Sequence, residues 1–257
     1  MKNKTFLFVI SLITLISAIS CNKSKQAKVS FYLTDDPGNY QAVNIDIREL
    51  WVNTGNTEAG SWTQVTIKPG VYNLLDFRNG MDTLLGTLEL PTGNITQMRL
   101  VLGTNNSVTL DDQSFELTTP SAQQSGLKFN VSTEIKEGID YKIWIDFDAG
   151  KSVVKAGASG KYILKPVIKA ITEAQSGAIS GIILPAEANS WVYLTSGSDT
   201  VATAKPDLLT GYFLIRGIPG GSYNLIIDGE TGFIDQTLTI SVTTGDQKNI
   251  GIITLLK

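Results

Sequence analysis

The sequence predicts an all-β protein: two antiparallel β-sandwich domains behind a cleaved N-terminal leader. Two observations carry that expectation. Short runs of alternating apolar and polar residues recur along the chain, the period of strands with one buried face. Turn residues separate the runs, supplied by 24 glycines and 8 prolines in 257 residues. A composition of 42% hydrophobic and 18% charged residues suits a packed chain and not a disordered one. The length suits one or two domains, each with a core of its own.

The leader comes first. Lys2 and Lys4 precede a largely apolar run, Phe6 to Ile16, which is long enough for a signal peptide and too short to span a bilayer. Small residues then lead to Cys21, the one cysteine of the chain. The string Ser17-Ala18-Ile19-Ser20-Cys21 resembles a bacterial lipobox. That resemblance implies a signal peptide over 1–20, acylation of the Cys21 thiol and a lipidated tether over 21–27. Several acyl chains, at ~0.8 kcal/mol per buried methylene, hold a protein firmly to a membrane. An ordinary secretory signal that happens to contain a cysteine is the alternative. Asn22 after the cysteine resembles lipoproteins sorted to the outer membrane, which implies a periplasm-facing site or, alternatively, surface exposure.

The first β domain is expected over 28–173. Val29, Phe31 and Leu33 alternate before the turn signal Asp35-Asp36-Pro37-Gly38. Val43, Ile45 and Ile47 face one way, and Asn44, Asp46 and Arg48 the other. Leu127, Phe129 and Val131 repeat the pattern, as do Tyr141, Ile143, Ile145 and Phe147. A helical turn or two is expected only around Asn73 to Gly80. The dense run Tyr162 to Ile171 contains Pro166, which cannot donate to a ladder and so marks an edge or a bulge. Gln175-Ser176-Gly177 reads as a joint. Seven short strands are then expected in 177–257, a Greek-key sandwich.

Several strings resemble known families. Leu33-Thr34-Asp35-Asp36-Pro37-Gly38, Thr96 to Leu102, Thr119 to Lys128, Asp146 to Val154 and Tyr162 to Pro166 resemble the DUF4382 domain of Bacteroidetes lipoproteins. That resemblance covers about 28–171 and implies an envelope location without implying an activity. Gly177 to Gly181, Trp191-Val192-Tyr193, Gly211-Tyr212-Phe213 and Gly217 to Tyr223 resemble the carboxypeptidase-regulatory or carbohydrate-binding-like sandwich, a prealbumin- or Ig-like fold. In the last string Pro219 and Gly220 turn the chain, so Tyr223 can plug the sandwich end with its hydroxyl on backbone.

Composition removes several chemistries. The chain has no histidine, so Ser-His-Asp and Cys-His catalysis and histidine-held metals are excluded. An isoelectric point near 5.1 speaks against nucleic acid, which needs a basic footprint. Gly150-Lys151-Ser152 is not a phosphate loop, because Ile145 stands where the leading glycine belongs.

Four aspartates are the sharpest candidates. Asp146 and Asp148 share a strand face with Trp144, and Asp35 and Asp36 arrive on another loop. Such an oxygen-rich set would suit Ca²⁺, although nothing in the sequence requires a cofactor. Alternatively these acids cap the next turn or pair with Lys151 and Lys165. The same carboxylates could form a glycosidase pair. Trp144 beside them, with Gln123, Gln124 and Ser125 in the polar loop 120–128, forms a candidate sugar site; buttressing of neighbouring strands is the other reading of that loop. Trp51, Trp62 and Trp191 are stacking candidates or sheet packing. The expected task is therefore non-catalytic binding of a glycan or surface partner. The alternatives are a structural or assembly subunit, or a carboxylate-only glycoside hydrolase.

Overall fold

The fold is that of a computed structural model, whose described residues are 26–257 except 37, 56–60, 120–124, 158, 174–175 and 231. The leader, Cys21, Gln123 and Gln124 thus lie outside the described residues. Strand β1 (Ala27–Thr34) buries Ala27, Val29, Phe31 and Leu33 on one face. Then come β2 (Ala42–Asn53), β3 (Trp62–Ile67), β4 (Gly70–Asn73), β5 (Thr83–Leu90) and β6 (Gly93–Leu102). They are followed by β7 (Ser107–Leu110), β8 (Gln113–Thr118), β9 (Leu127–Ile135) and β10 (Asp140–Phe147). Three short strands, β11 (Val153–Lys155), β12 (Tyr162–Leu164) and β13 (Ile168–Thr172), complete this N-terminal body. The expected helical turn is a 3-10 turn over Leu74–Phe77.

β2 is the hub, because its length lets each edge serve two partners. One edge pairs with β4 and then β3, the other with β7 and then β6, beyond which lies β9. Through β3 the ladder passes into a second layer, β5-β1-β10-β13. The layers close on one core in which Phe31, Ile45, Ile47, Leu50, Met98 and Phe147 are fully buried.

The C-terminal body contains β14 (Gly177–Leu184), β15 (Trp191–Ser196), β16 (Asp199–Ala204), β17 (Tyr212–Ile218), β18 (Gly221–Asp228), β19 (Gln236–Val242) and β20 (Gln247–Thr254). The layers β17-β14-β20 and β16-β15-β18-β19 face one another across Ile179, Val192, Leu194, Phe213, Leu225 and Ile227. Tyr223 is buried and donates its hydroxyl hydrogen to Pro219 O at 2.9 Å, closing the turn as its motif implies.

Most neighbours are antiparallel, but β1–β10, β8–β12 and β14–β20 are parallel. Alternation tells which face a residue takes and not which way its neighbour runs. The run 162–171 is two strands and not one. Around Pro166 the backbone leaves the ladder, and Ser152 takes its place: Lys165 N donates to Ser152 O at 2.8 Å and Val167 N to Ser152 Oγ at 2.9 Å.

The two bodies meet tightly. Asn79 Nδ2 donates to Lys205 O at 2.7 Å, Thr203 Oγ1 to Asp36 Oδ1 at 2.9 Å, and Arg216 pairs with Asp82 at 3.1 Å. Two glycines permit the approach. Both have positive φ, and a Cβ would strike Leu214 from Gly80 and Ile171 from Gly217.

Candidate functional site

Asp35, Asp36, Asp146 and Asp148 do gather, all buried, where β1 and β10 end side by side. The parallel pairing of those strands brings Thr34 opposite Asp146 and delivers both acidic segments to one place. Several of their oxygens have local work. Asp35 Oδ1 accepts Ala149 N–H at 3.0 Å. Asp148 caps the one-turn helix Ala149–Ser152, accepting Lys151 N–H at 2.8 Å and its ammonium at 2.7 Å. The capping and Lys151 pairing weighed in the sequence are thus present. Among the described residues no three acidic groups converge as a metal cage requires.

Asp35, Asp36 and Asp146 line a cavity of about 60 Å³ between the bodies, walled opposite by Thr203, Leu214 and Arg216. That space suits a few waters and is far below the ~300 Å³ at which ligand pockets begin. The electrostatics of these carboxylates are nonetheless unusual. Burial, followed by Asp36, raises Asp146 to about 7. Burial also pushes Asp35 well above the ordinary carboxylate range, and lifts Asp36 with help from Asp148.

Trp144 is not the sugar platform expected of it. It is 6% exposed, its Nε1–H is given to Asp82 Oδ2 at 2.7 Å, and Tyr32 stacks against it at 6.0 Å. The Arg216 guanidinium lies 5.1 Å from its ring centroid. The expectation placed one face of β10 in solvent, but the C-terminal body buries it. Asp146 and Trp144 therefore belong to an internal joint, whereas Asp148 is held by its own turn and Lys151.

An accessible face lies elsewhere, on β3-β2-β6-β9. Leu50, Val52, Val65, Met98, Leu100 and Phe129 point into the core, so the alternate residues point out. The outward set includes Trp62, Gln64, Trp51, Gln97, Arg99 and Asn130. Arg99 is directly opposite Trp51 and lies between the two indoles, 5.1 Å from Trp51 and 5.0 Å from Trp62. Glu49 anchors Trp51 by accepting its Nε1–H at 2.7 Å. Gln97 Nε2 donates to Asn130 Oδ1 at 3.2 Å, whereas Gln97 Oε1 and Arg99 Nε have no partner among the described residues.

The polar loop reaches this face. Gly126, at φ +72°, sits so close over Arg99 that a Cβ would lie 2.8 Å from its Cγ. Exposed Ser125 precedes it, beside a hollow of about 230 Å³ that also takes in Lys128, Pro166 and Ile168. Sequence reasoning singled out the loop and both tryptophans but missed Arg99 and Gln97. Their signal was the alternation Gln97-Met98-Arg99-Leu100, but only strand pairing sets Arg99 between indoles from two other strands.

The model of the domain of unknown function DUF4382 matches residues 26–166, which hold the outer face and the four aspartates. The chain belongs to the DUF4382 family. No curated protein matches this family member. Among solved structures it is similar to the TIE protein of Bacillus anthracis, at 12% identity and TM-score 0.28, over 91% of this chain and 35% of that one. The chain thus spans about a third of that protein. It is also similar to GBS52, the minor pilin of Streptococcus agalactiae, at 12% identity and TM-score 0.26, over 90% of this chain and 95% of that one. A third similarity is to BcpA, the major pilin subunit of Bacillus cereus, at 10% identity and TM-score 0.26, over 91% and 71% of the two chains. Among the described residues no helix is long and apolar enough to cross a membrane.

Proposed function

We propose that this DUF4382 protein is a non-catalytic binding module of the bacterial cell envelope, tethered to the outer membrane through acylated Cys21, whose ligand is a glycan. The observation that carries the reading is the Trp51–Arg99–Trp62 arrangement on the outward face of β3-β2-β6. Indoles supply flat apolar area for sugar C–H faces, and the exposed amides of Gln64 and Asn130 are there to meet hydroxyls. An open sheet face suits an extended polysaccharide, and Ser125 would border it; Gln123 and Gln124 remain sugar-binding candidates from the sequence. In this reading 28–173 is the binding domain and 177–257 a carboxypeptidase-regulatory-like sandwich that supports it.

The test is a panel of neutral and uronic-acid oligosaccharides, titrated against the full chain in detergent. Binding should weaken about tenfold in each of Trp51→Ala and Trp62→Ala, roughly one stacked ring apiece. Retention of no glycan, or affinity indifferent to removal of both rings, overturns the proposal.

A second reading has its own observation. Among the described residues β20 pairs as a strand with β14 alone, and its Ile252 is 63% exposed. Such an edge suits strand addition by another envelope protein, the assembly role. Crosslinks from β20 to a second protein, with no glycan bound, would favour it.

A further inference from the structure

We propose that the joint between the two bodies is a proton-operated latch, closed when the Asp35–Asp36–Asp146 cluster holds protons and loosened when it ionises. The inference is independent of what the outer face binds. It stands first on geometry. Three buried carboxylates line one small water-sized cavity, and its far wall belongs to the other body. Asp35 Oδ2 is buried there without a hydrogen-bond partner among the described residues, and Asp35 itself is 6% exposed. A buried carboxylate oxygen with no donor is costly when charged and tolerable when it bears a proton. Across the cavity, Thr203 Oγ1 of β16 gives its hydrogen to Asp36 Oδ1, so an acid of the cluster is itself a clasp.

The surrounding charges do not balance the cluster. From the segment after β10 come Asp148 and Lys151, already paired with each other. β13 supplies Lys169, opposite Asp146 in register and exposed. The C-terminal body supplies Arg216 on β17, whose guanidinium is engaged by Asp82 and Trp144. Among the described residues Lys151, shared with Asp148, and exposed Lys169 are left to face three carboxylates. Protons on the carboxylates supply the remaining compensation.

The sign follows from linkage. Asp146 is raised to about 7, first by burial and then by Asp36, and Asp35 and Asp36 are raised as well. An acid whose value is higher in the closed joint than in the open one takes up a proton on closing. Its support for closure is complete below the ordinary aspartate range and is lost as pH rises through about 7.

Hydrogen exchange on the full chain in detergent, at about pH 5 and about pH 8 and corrected for intrinsic exchange, tests the latch. Protection of segments 79–82 and 201–217 should fall roughly tenfold or more between those pH values, while the β2 and β18 cores stay protected. Asp146→Asn should keep the low-pH protection at both values. If that variant does not fold, Asp35→Asn serves the same purpose. Equal protection of the wild-type joint at both pH values overturns the proposal, as does an unchanged pH trend in a folded Asn variant. Full restoration at about pH 8 by calcium chloride alone would also overturn it, by assigning the compensating charge to a cation.

Discussion

Arg216 of β17 lies over the ring of Trp144 on β10, its guanidinium carbon 5.1 Å from the ring centroid. Asp82 holds both partners, accepting from Trp144 Nε1 at 2.7 Å and from Arg216 at 3.1 Å. This cluster fastens one sheet system to the other, and it consumes the aromatic that the sequence offered as a sugar platform. A double-mutant cycle of Trp144→Leu and Arg216→Met should show a coupling of about 1 kcal/mol in denaturant unfolding. Strict additivity would mean that the two residues merely lie side by side.

Gly126→Ala should destabilise the chain by about 1–2 kcal/mol, because the residue sits at φ +72°, where an L side chain is strained. The added methyl would also press on Arg99 Cγ, 2.8 Å away, and push the guanidinium from between the indoles. Thermal denaturation reads the first effect, and the change in tryptophan fluorescence on adding oligosaccharide reads the second.

The two cores are built from different residues. Phe31→Ala and Phe213→Ala should each cost about 3–5 kcal/mol, since both rings are fully buried. Limited proteolysis followed by mass spectrometry separates them. Phe213→Ala should expose sites in 177–257 while 28–173 survives, and Phe31→Ala should do the reverse. Simultaneous loss of both segments in either variant would show that neither body persists without the other.

Cys21→Ser should abolish incorporation of radiolabelled palmitate and move the protein from the membrane fraction to the soluble fraction. Removing the thiol removes the atom that carries the acyl chains. Continued sedimentation with membranes would point to another anchor.

Alternation along single strands and the turn residues between them were enough to read the all-β class, a helical turn near Asn73, the seven-stranded C-terminal body and the Tyr223 plug. Each depends on neighbours in the chain: which side successive residues face, and where glycine and proline bend the backbone. The capping role of Asp148 was legible for the same reason, because Lys151 is only three residues away. Contacts between distant segments were not. That β1 and β10 run parallel, delivering Asp35, Asp36 and Asp146 to one cavity, depends on a pairing across more than a hundred residues. The burial of Trp144 depends on a second body docking over a strand face that alternation alone assigns to water. Arg99 lies between Trp51 and Trp62 because three strands share a register, and a one-residue slip would turn it into the core. Local sequence determines side-chain direction, whereas tertiary packing decides what meets each side chain, and here that separates an internal acidic joint from an open aromatic face.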